Sequence, residues 1–219
     1  VYIRFSSRVD VSADVEEATR SGYTTPGDSI GILGIATYSD EEMKETTLAG
    51  YKKETLRQWM ANDKYYYTSS NFREDKIVEF VHHDGERPTF PIDKGSGMVV
   101  YAYKPHTERV EYGEDDCYIP FDLVADSAST DWMYSGREAM SKVTYRDVET
   151  FTLNSFKHAM TRLDVALAPE LSKWNPSFTI IEISLGVQNN VQGRFSIIDG
   201  SITVENKDES SYTGGVYDL

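Results

Sequence analysis

The amino-acid sequence predicts an all-β protein built as a β-sandwich. Apolar and polar residues alternate along several segments, as they do in half-buried strands. Roughly ten or more such short segments are separated by turn residues. Only one segment has a composition that suits a helix. Many short strands joined by turns are typical of sandwiches rather than of α/β folds.

The first predicted strand begins at the N-terminus. Val1, Ile3 and Phe5 occupy alternate positions, and the same apolar phase continues to residue 11. One face of this strand should therefore be buried. Residues 12–28 contain few large apolar side chains but include glycine and proline, so they predict a loop.

The next two segments predict a strand and the helix. Residues 30–35, interrupted by two glycines, predict a strand that another backbone approaches closely. Residues 41–60 predict the helix, although Gly50 and the Thr46–Thr47 pair have weak helix propensity.

The remaining segments predict strands on both sides of a domain boundary. The predicted strands are 65–68, 77–81, 98–103, 118–124, 148–153, 156–167, 178–187, 194–198 and 201–204. Residues 108–116 predict an acidic loop, and 127–142 also have loop composition. A boundary near residue 147 divides the chain into an N-terminal β-sandwich domain, 1–147, and a C-terminal β domain, 148–219. About seventy residues are few for an independent β domain, so the second is either incomplete or packed against the first.

Charge and cysteine content exclude several classes of protein. The chain has 22 Lys and Arg against 36 Asp and Glu, a net charge of −14. Such a chain is repelled by nucleic-acid backbones and by anionic membrane surfaces. No apolar run is long enough to span a bilayer. The single cysteine, Cys117, excludes an internal disulfide framework and a cysteine-rich zinc site.

The histidines do not predict a metal or catalytic site. His82 and His83 are adjacent in the sequence, and neighbouring side chains on a strand point to opposite faces and cannot share an ion unless the backbone bulges. The favoured interpretation is an exposed strand end that turns at Gly85. His106 follows Pro105 in a loop without a spaced partner, and His158 alternates with apolar residues as a core histidine would.

Cys117 and the acidic stretches also do not predict a catalytic or metal site. Acidic neighbours of Cys117 should raise its pKa rather than activate it. The acidic stretches 114–116 and 208–209 lack the ligand spacing of a calcium loop. No nucleophile motif or phosphate-binding loop is present. We therefore expect no catalytic residues, no cofactor and no metal.

Several segments, taken in order, resemble the fimbrillin (Mfa-like) family of Bacteroides-type bacteria, whose members are subunits of surface pili. The matching pieces are Gly27-Asp28-Ser29-Ile30-Gly31-Ile32-Leu33, Asn62 with Tyr65, Tyr101-Ala102-Tyr103-Lys104-Pro105, Asp131-Trp132-Met133-Tyr134-Ser135, and Phe156-x-His158-x-x-x-Arg162-Leu163-Asp164-Val165-x-Leu167. The match rests on the order and spacing of these motifs across residues 1–167.

This resemblance implies two transthyretin-like β-sandwich domains and a lipoprotein precursor carried to the outer membrane. In the family, an arginine-specific protease cuts the loop after the first strand, and a neighbouring subunit fills the groove by strand addition. The corresponding bond here is Arg20–Ser21, and the removable strand carries Val1, Ile3 and Phe5. Arg8 is a poorer cleavage candidate because it lies within the β pattern. The lipid would sit on a segment upstream of Val1.

The resemblance therefore predicts a non-enzymatic structural or adhesive subunit of a fimbria, with other pilus subunits as partners. The alternative is a surface lipoprotein that binds a glycan or a host protein without polymerising. Its candidate contacts are Trp59, Trp132 and Trp174, since indole rings stack on sugars. The core is the stronger interpretation of these tryptophans.

Overall fold

A computed structural model of the chain describes residues 2–8, 29–49, 58–67, 77–86, 88–89, 97–123, 131–141, 148–159, 183–188, 191–205 and 212–217. These residues form strands almost throughout, with one short helix, so the predicted all-β class is confirmed.

The strands, in chain order, are β1 (Tyr2–Arg8), β2 (Ser29–Thr37), β3 (Gln58–Tyr67), β4 (Ile77–His82), β5 (Gly97–Lys104), β6 (Glu111–Tyr112), β7 (Cys117–Leu123), β8 (Met133–Ser141), β9 (Val148–Leu153), β10 (Lys157–His158), β11 (Ile183–Gln188), β12 (Val191–Ser196), β13 (Ile202–Val204) and β14 (Tyr212–Tyr217). The helix is α1 (Asp40–Glu45). Three sheets result, of eight, four and two strands.

The eight-stranded sheet has the order β10-β8-β5-β2-β3-β4-β1-β9. Strands β2 and β5 lie side by side near its middle and are buried along almost their whole length. Alternate residues of β5 therefore enter two different cores, with Val100 in one and Tyr101 in the other. The prediction of a central strand at 98–103 is confirmed.

The first core, called the inner core, is formed by side chains from strands of the eight-stranded sheet. It contains Ile3, Phe5, Ile30, Ile32, Met60, Tyr65, Tyr67, Phe80, Met98, Val100, Ala102, Phe151 and Leu153. Only residues 154–156 join edge strand β9 to the opposite edge strand β10, a span of at most about 14 Å. Strand β9 also contacts β8, the neighbour of β10 in the sheet. The sheet must therefore curl until its two edges approach each other.

The second core, called the inter-sheet core, lies between the larger sheet and the four-stranded sheet β13-β12-β7-β6. It contains Leu33, Ile35, Leu48, Val99, Tyr101, Tyr103, Cys117, Ile119, Phe121, Trp132, Phe195 and Ile197. Two sheets packed face to face through such a layer confirm the predicted sandwich. The transthyretin-like arrangement stays a prediction.

The predicted helix at 41–60 is mostly wrong. Helix α1 begins after Ser39, whose side chain accepts a hydrogen bond from the Glu42 N–H (3.1 Å), and it ends at Glu45. Thr46 is already extended, as expected of a β-branched residue that helices disfavour. Residues 58–60 belong to strand β3, and 50–57 lie outside the described residues.

Two loop predictions also need correction. Most of 127–142 is strand β8, which pairs with β5 in spite of its Gly, Ser and Glu residues. Within 108–116, Glu111 and Tyr112 form the short strand β6 against β7.

Strand β14, which pairs with β11, was not predicted at all. The predicted loop at 12–28 lies outside the described residues.

Strands that follow residue 147 join both of the larger sheets. Strand β9 pairs with β1, and β12 pairs with β7. Their apolar side chains enter both cores, so the described strands that follow residue 147 pack against those that precede it. The domain boundary itself stays a prediction. Among the described residues, no helix is both long and apolar enough to cross a membrane.

Candidate functional site: the first strand and its groove

Strand β1 lies between β4 and β9 in the eight-stranded sheet. It runs antiparallel to β4, with Phe5 opposite Phe80. It runs parallel to β9, with Phe5 opposite Phe151. Both edges of β1 therefore supply backbone hydrogen bonds to the sheet, and each neighbour would lose a partner without it.

Two side chains of β1 point into the inner core. Ile3 and Phe5 are almost completely buried, as their alternation in the sequence predicts. The Phe5 ring lies edge-on to Tyr65, with centroids 5.3 Å apart, and is 5.7 Å from Phe151. At roughly 1.5–3 kcal/mol for each buried large apolar side chain, these two residues dominate the apolar contribution of β1.

Strand β1 is also held in place by hydrogen bonds and an ion pair. Ser6 donates a hydrogen bond to the Thr152 hydroxyl (3.3 Å), and Ser7 donates one to the Asn154 carbonyl (3.1 Å). Arg4 forms an ion pair with Glu79 at 3.4 Å, and the Ile3 N–H donates to the Pro88 carbonyl (2.8 Å). The buried serines are small, so they fill little volume.

The surroundings of β1 define a groove, called here the first-strand groove. Its walls are the backbones of β4 and β9, and its floor is formed by Tyr65, Phe80, Phe151 and Leu153. Without β1 this floor would expose a contiguous apolar surface beside two unpaired strand edges, which favours pairing with another chain.

The predicted site residues are only partly described. Ile3 and Phe5 lie in the groove, whereas Val1, Arg20 and Ser21 lie outside the described residues. Arg8 belongs to β1 and pairs with Ile77, in keeping with its poor rank as a cleavage candidate. The groove residues Phe151 and Leu153 were not among the residues predicted from the sequence. Their alternation within 148–153 marks them as buried, but it does not reveal which strand they face.

Of the three candidate tryptophans, only Trp132 has a side chain among the described residues, and it does not form a sugar-binding surface. Trp132 is buried and stacks on Phe195, with centroids 5.6 Å apart and an interplanar angle of 19°. This confirms the core interpretation for Trp132 and removes it from the candidate glycan contacts. The Trp59 side chain and Trp174 lie outside the described residues.

The core interpretation of His158 was wrong, whereas the expected strand end that turns at Gly85 is confirmed and only the side-chain directions of His82 and His83 differ from expectation. His158 is exposed and lies 2.8 Å from an oxygen of Asp131, so it is not a core histidine. Strand β4 ends at His82, and His83 already lies in the following turn. The two rings therefore converge, with centroids 4.5 Å apart, instead of pointing to opposite faces.

Cys117 and the acidic residues before it have structural roles. Burial, and to a smaller extent Asp116, raises the pKa of the Cys117 thiol to about 12, in the predicted direction. Asp116 accepts hydrogen bonds from the Cys117 N–H (2.8 Å) and the Ser196 hydroxyl (2.7 Å). This carboxylate therefore joins β7 to β12.

Comparison with known proteins points to one family. The chain matches the family described as fimbrillin-like over residues 17–217. Its fold is similar to the crystal structure of a protein from Bacteroides ovatus that is provisionally described as a cell adhesion protein. That likeness has a TM-score of 0.49 and 13% sequence identity, over 99% of this chain and 77% of the other. No curated protein matches the chain. The chain belongs to the fimbrillin-like family.

Proposed function

We propose that the chain is a non-enzymatic structural or adhesive subunit of a bacterial cell-surface fimbria, assembled by donor-strand exchange. In this proposal, cleavage after Arg20 releases the segment that carries β1, and an extended segment of another subunit takes its place. The precursor reaches the outer membrane as a lipoprotein, with the lipid on a segment upstream of Val1. Membership of the fimbrillin-like family supports a fimbrial role.

The observation that carries the mechanism is the position of β1 between β4 and β9. A replacing strand would recover the backbone hydrogen bonds on both sides, whatever its sequence. It would need two large apolar residues, two positions apart, to fill the places of Ile3 and Phe5. Small residues next to them would suffice, because Ser6 and Ser7 occupy the corresponding positions of β1.

The test is digestion with an arginine-specific protease, followed by intact mass and size-exclusion chromatography. We expect a cut after Arg20 and then growth into oligomers. An Arg20→Lys variant is the matched control, because it keeps the charge but removes the cleavage site, and it should remain monomeric. A synthetic peptide of residues 1–11, added in excess, should compete for the groove and suppress oligomers of the cleaved wild-type chain.

Two outcomes would contradict the mechanism. Either resistance at Arg20 or a clean cut that leaves a stable monomer would show that strand exchange does not occur in this chain. The surface-binding alternative, with a glycan or protein ligand and no polymerisation, would then become the leading hypothesis.

A further inference from the structure

The turn that follows β4 brings three potential metal ligands together. Residues His82, His83 and Asp84 each offer one nitrogen or oxygen ligand atom, and these atoms all lie within 4.8 Å of one another. Such convergence is absent from a regular strand, where successive side chains alternate. It arises because the strand ends at His82 and the chain turns at once.

The backbone of this turn is held at several points. The Gly85 N–H donates to the His82 carbonyl (2.9 Å), and Gly85 adopts a positive φ of 79°, which favours glycine. The His83 N–H donates to the Lys64 carbonyl on β3 (3.0 Å). The Glu86 N–H donates to the Asp84 carboxylate (2.7 Å). The ligand-bearing residues are therefore positioned by the fold.

The side chains are oriented as well. The Tyr65 ring packs edge-on against the His82 imidazole, with centroids 5.0 Å apart. The His82 Nδ1 atom contacts the Asp84 carboxylate, so an imidazole nitrogen and a carboxylate oxygen already face each other. His82 is largely covered, while His83 and Asp84 are open to solvent, and an ion would have an entry path.

Charge around the turn favours a cation. The Asp63 carboxylate on β3 interacts electrostatically with both imidazoles and with Asp84. It adds a second negative group beside the three ligands, in a chain whose net charge is −14. Two imidazoles with one carboxylate form a donor set that suits Zn²⁺ and similar divalent transition ions better than Ca²⁺ or Mg²⁺.

The distances fit this ion type. Zinc–ligand bonds of about 2.0–2.2 Å in a tetrahedral site separate the ligand atoms by about 3.4 Å. Ligand atoms within 4.8 Å of one another can reach this spacing by small side-chain rotations. We propose that His82, His83 and Asp84 form a binding site for a divalent transition-metal ion, with Zn²⁺ as the representative, and that water completes the coordination. The proposal does not rest on strand exchange, although β4 and Tyr65 belong both to this site and to the first-strand groove.

The test is titration of tag-free, full-length protein with Zn²⁺ by isothermal calorimetry. One ion per chain should bind, and His83→Ala and Asp84→Asn should each weaken binding at least tenfold, since each removes a ligand. Both residues are exposed, so neither change should prevent folding. His158→Ala is the matched control, because it removes an exposed histidine that also faces an aspartate, and it should leave Zn²⁺ affinity unchanged.

Two further measurements distinguish a defined metal-coordination site from nonspecific binding of Zn²⁺ to an acidic surface. Co²⁺ should give the visible absorption bands of a tetrahedral nitrogen and oxygen site in the wild type but not in His83→Ala. Excess Zn²⁺ should raise the melting temperature of the wild type by several degrees more than that of His83→Ala. Equal Zn²⁺ affinity in the wild type and in both ligand variants would overturn the proposal, as would an equal loss in His158→Ala.

Discussion

Phe5 on β1 lies directly opposite Phe151 on β9, and their ring centroids are 5.7 Å apart although 145 residues separate them in the chain. The two strands run parallel, so their pairing depends on the whole intervening chain rather than on a local turn. On its β9 side, the N-terminal strand is therefore held in the sheet by residues that are distant from it in the sequence.

Phe5→Ala should destabilise the intact chain by about 3–5 kcal/mol. The substitution removes a buried ring and leaves a cavity between Tyr65 and Phe151, which cannot close completely. Chemical denaturation followed by circular dichroism measures the loss. Arg4→Ala on the same strand is the control, and it should cost about 0–1 kcal/mol because its ion pair with Glu79 is partly exposed. Equal losses in the two variants would show that β1 contributes through its backbone alone.

The fragment 1–147 should not fold by itself. It lacks β9 and β12, and with them Phe151 and Leu153 of the inner core and Phe195 and Ile197 of the inter-sheet core. Without these side chains both apolar layers are open to water. Thermal unfolding of the fragment, compared with that of the full chain, should show no cooperative transition. A sharp transition in the fragment would instead support an independent domain at 1–147.

Gly31→Ala should cost about 1–3 kcal/mol. A Cβ atom at Gly31 would lie 2.3 Å from the Tyr103 ring, and the ring cannot move away easily. Its hydroxyl is hydrogen bonded to Asn62 (2.6 Å) and to the Thr107 carbonyl (2.9 Å). The close approach expected at this glycine is therefore present, but it is made by a tyrosine ring rather than by a backbone.

A double-mutant cycle checks the origin of that cost. In a Tyr103→Ala background the clash is absent, so Gly31→Ala should then change the free energy of unfolding by less than in the wild type. The free energies come from urea denaturation of the four proteins. If the effects of Gly31→Ala and Tyr103→Ala on the free energy of unfolding were simply additive, the cost of Gly31→Ala would arise from the backbone of β2 instead.

Sequence periodicity predicted the strands whose side chains alternate or are uniformly apolar. It located β5 and β9 well, and it identified Ile3 and Phe5 as buried. It failed at β8, where the glycine, serine and glutamate of a strand bordering the sheet edge resemble a loop. In such a strand, pairing with β5 outweighs intrinsic propensity.

At the candidate sites, prediction from the sequence was limited in a different way. Local sequence identifies a strand's buried face but not its neighbours, so the pairing of β1 with β9 required the structure. The convergence of His82 with His83 was missed for a related reason. The end of β4 and the turn at Gly85 were expected, but the directions that the two side chains take in the turn cannot be read from local sequence.

Stability should fall with rising pH above about 9 because of Cys117. Burial raises the pKa of its thiol from 9.0 to about 12, so between these values the unfolded chain releases a proton that the folded chain keeps. The free energy of unfolding should decrease by about 1.4 kcal/mol per pH unit through this group. Cys117→Ala removes the titrating group, and tyrosine contributions are shared by both proteins. Urea denaturation at several pH values should therefore show the wild type losing stability relative to Cys117→Ala from pH 9 upward. If the free energies of unfolding of the wild type and of Cys117→Ala changed with pH in parallel, the thiol of Cys117 would ionise as readily in the folded chain as in the unfolded one.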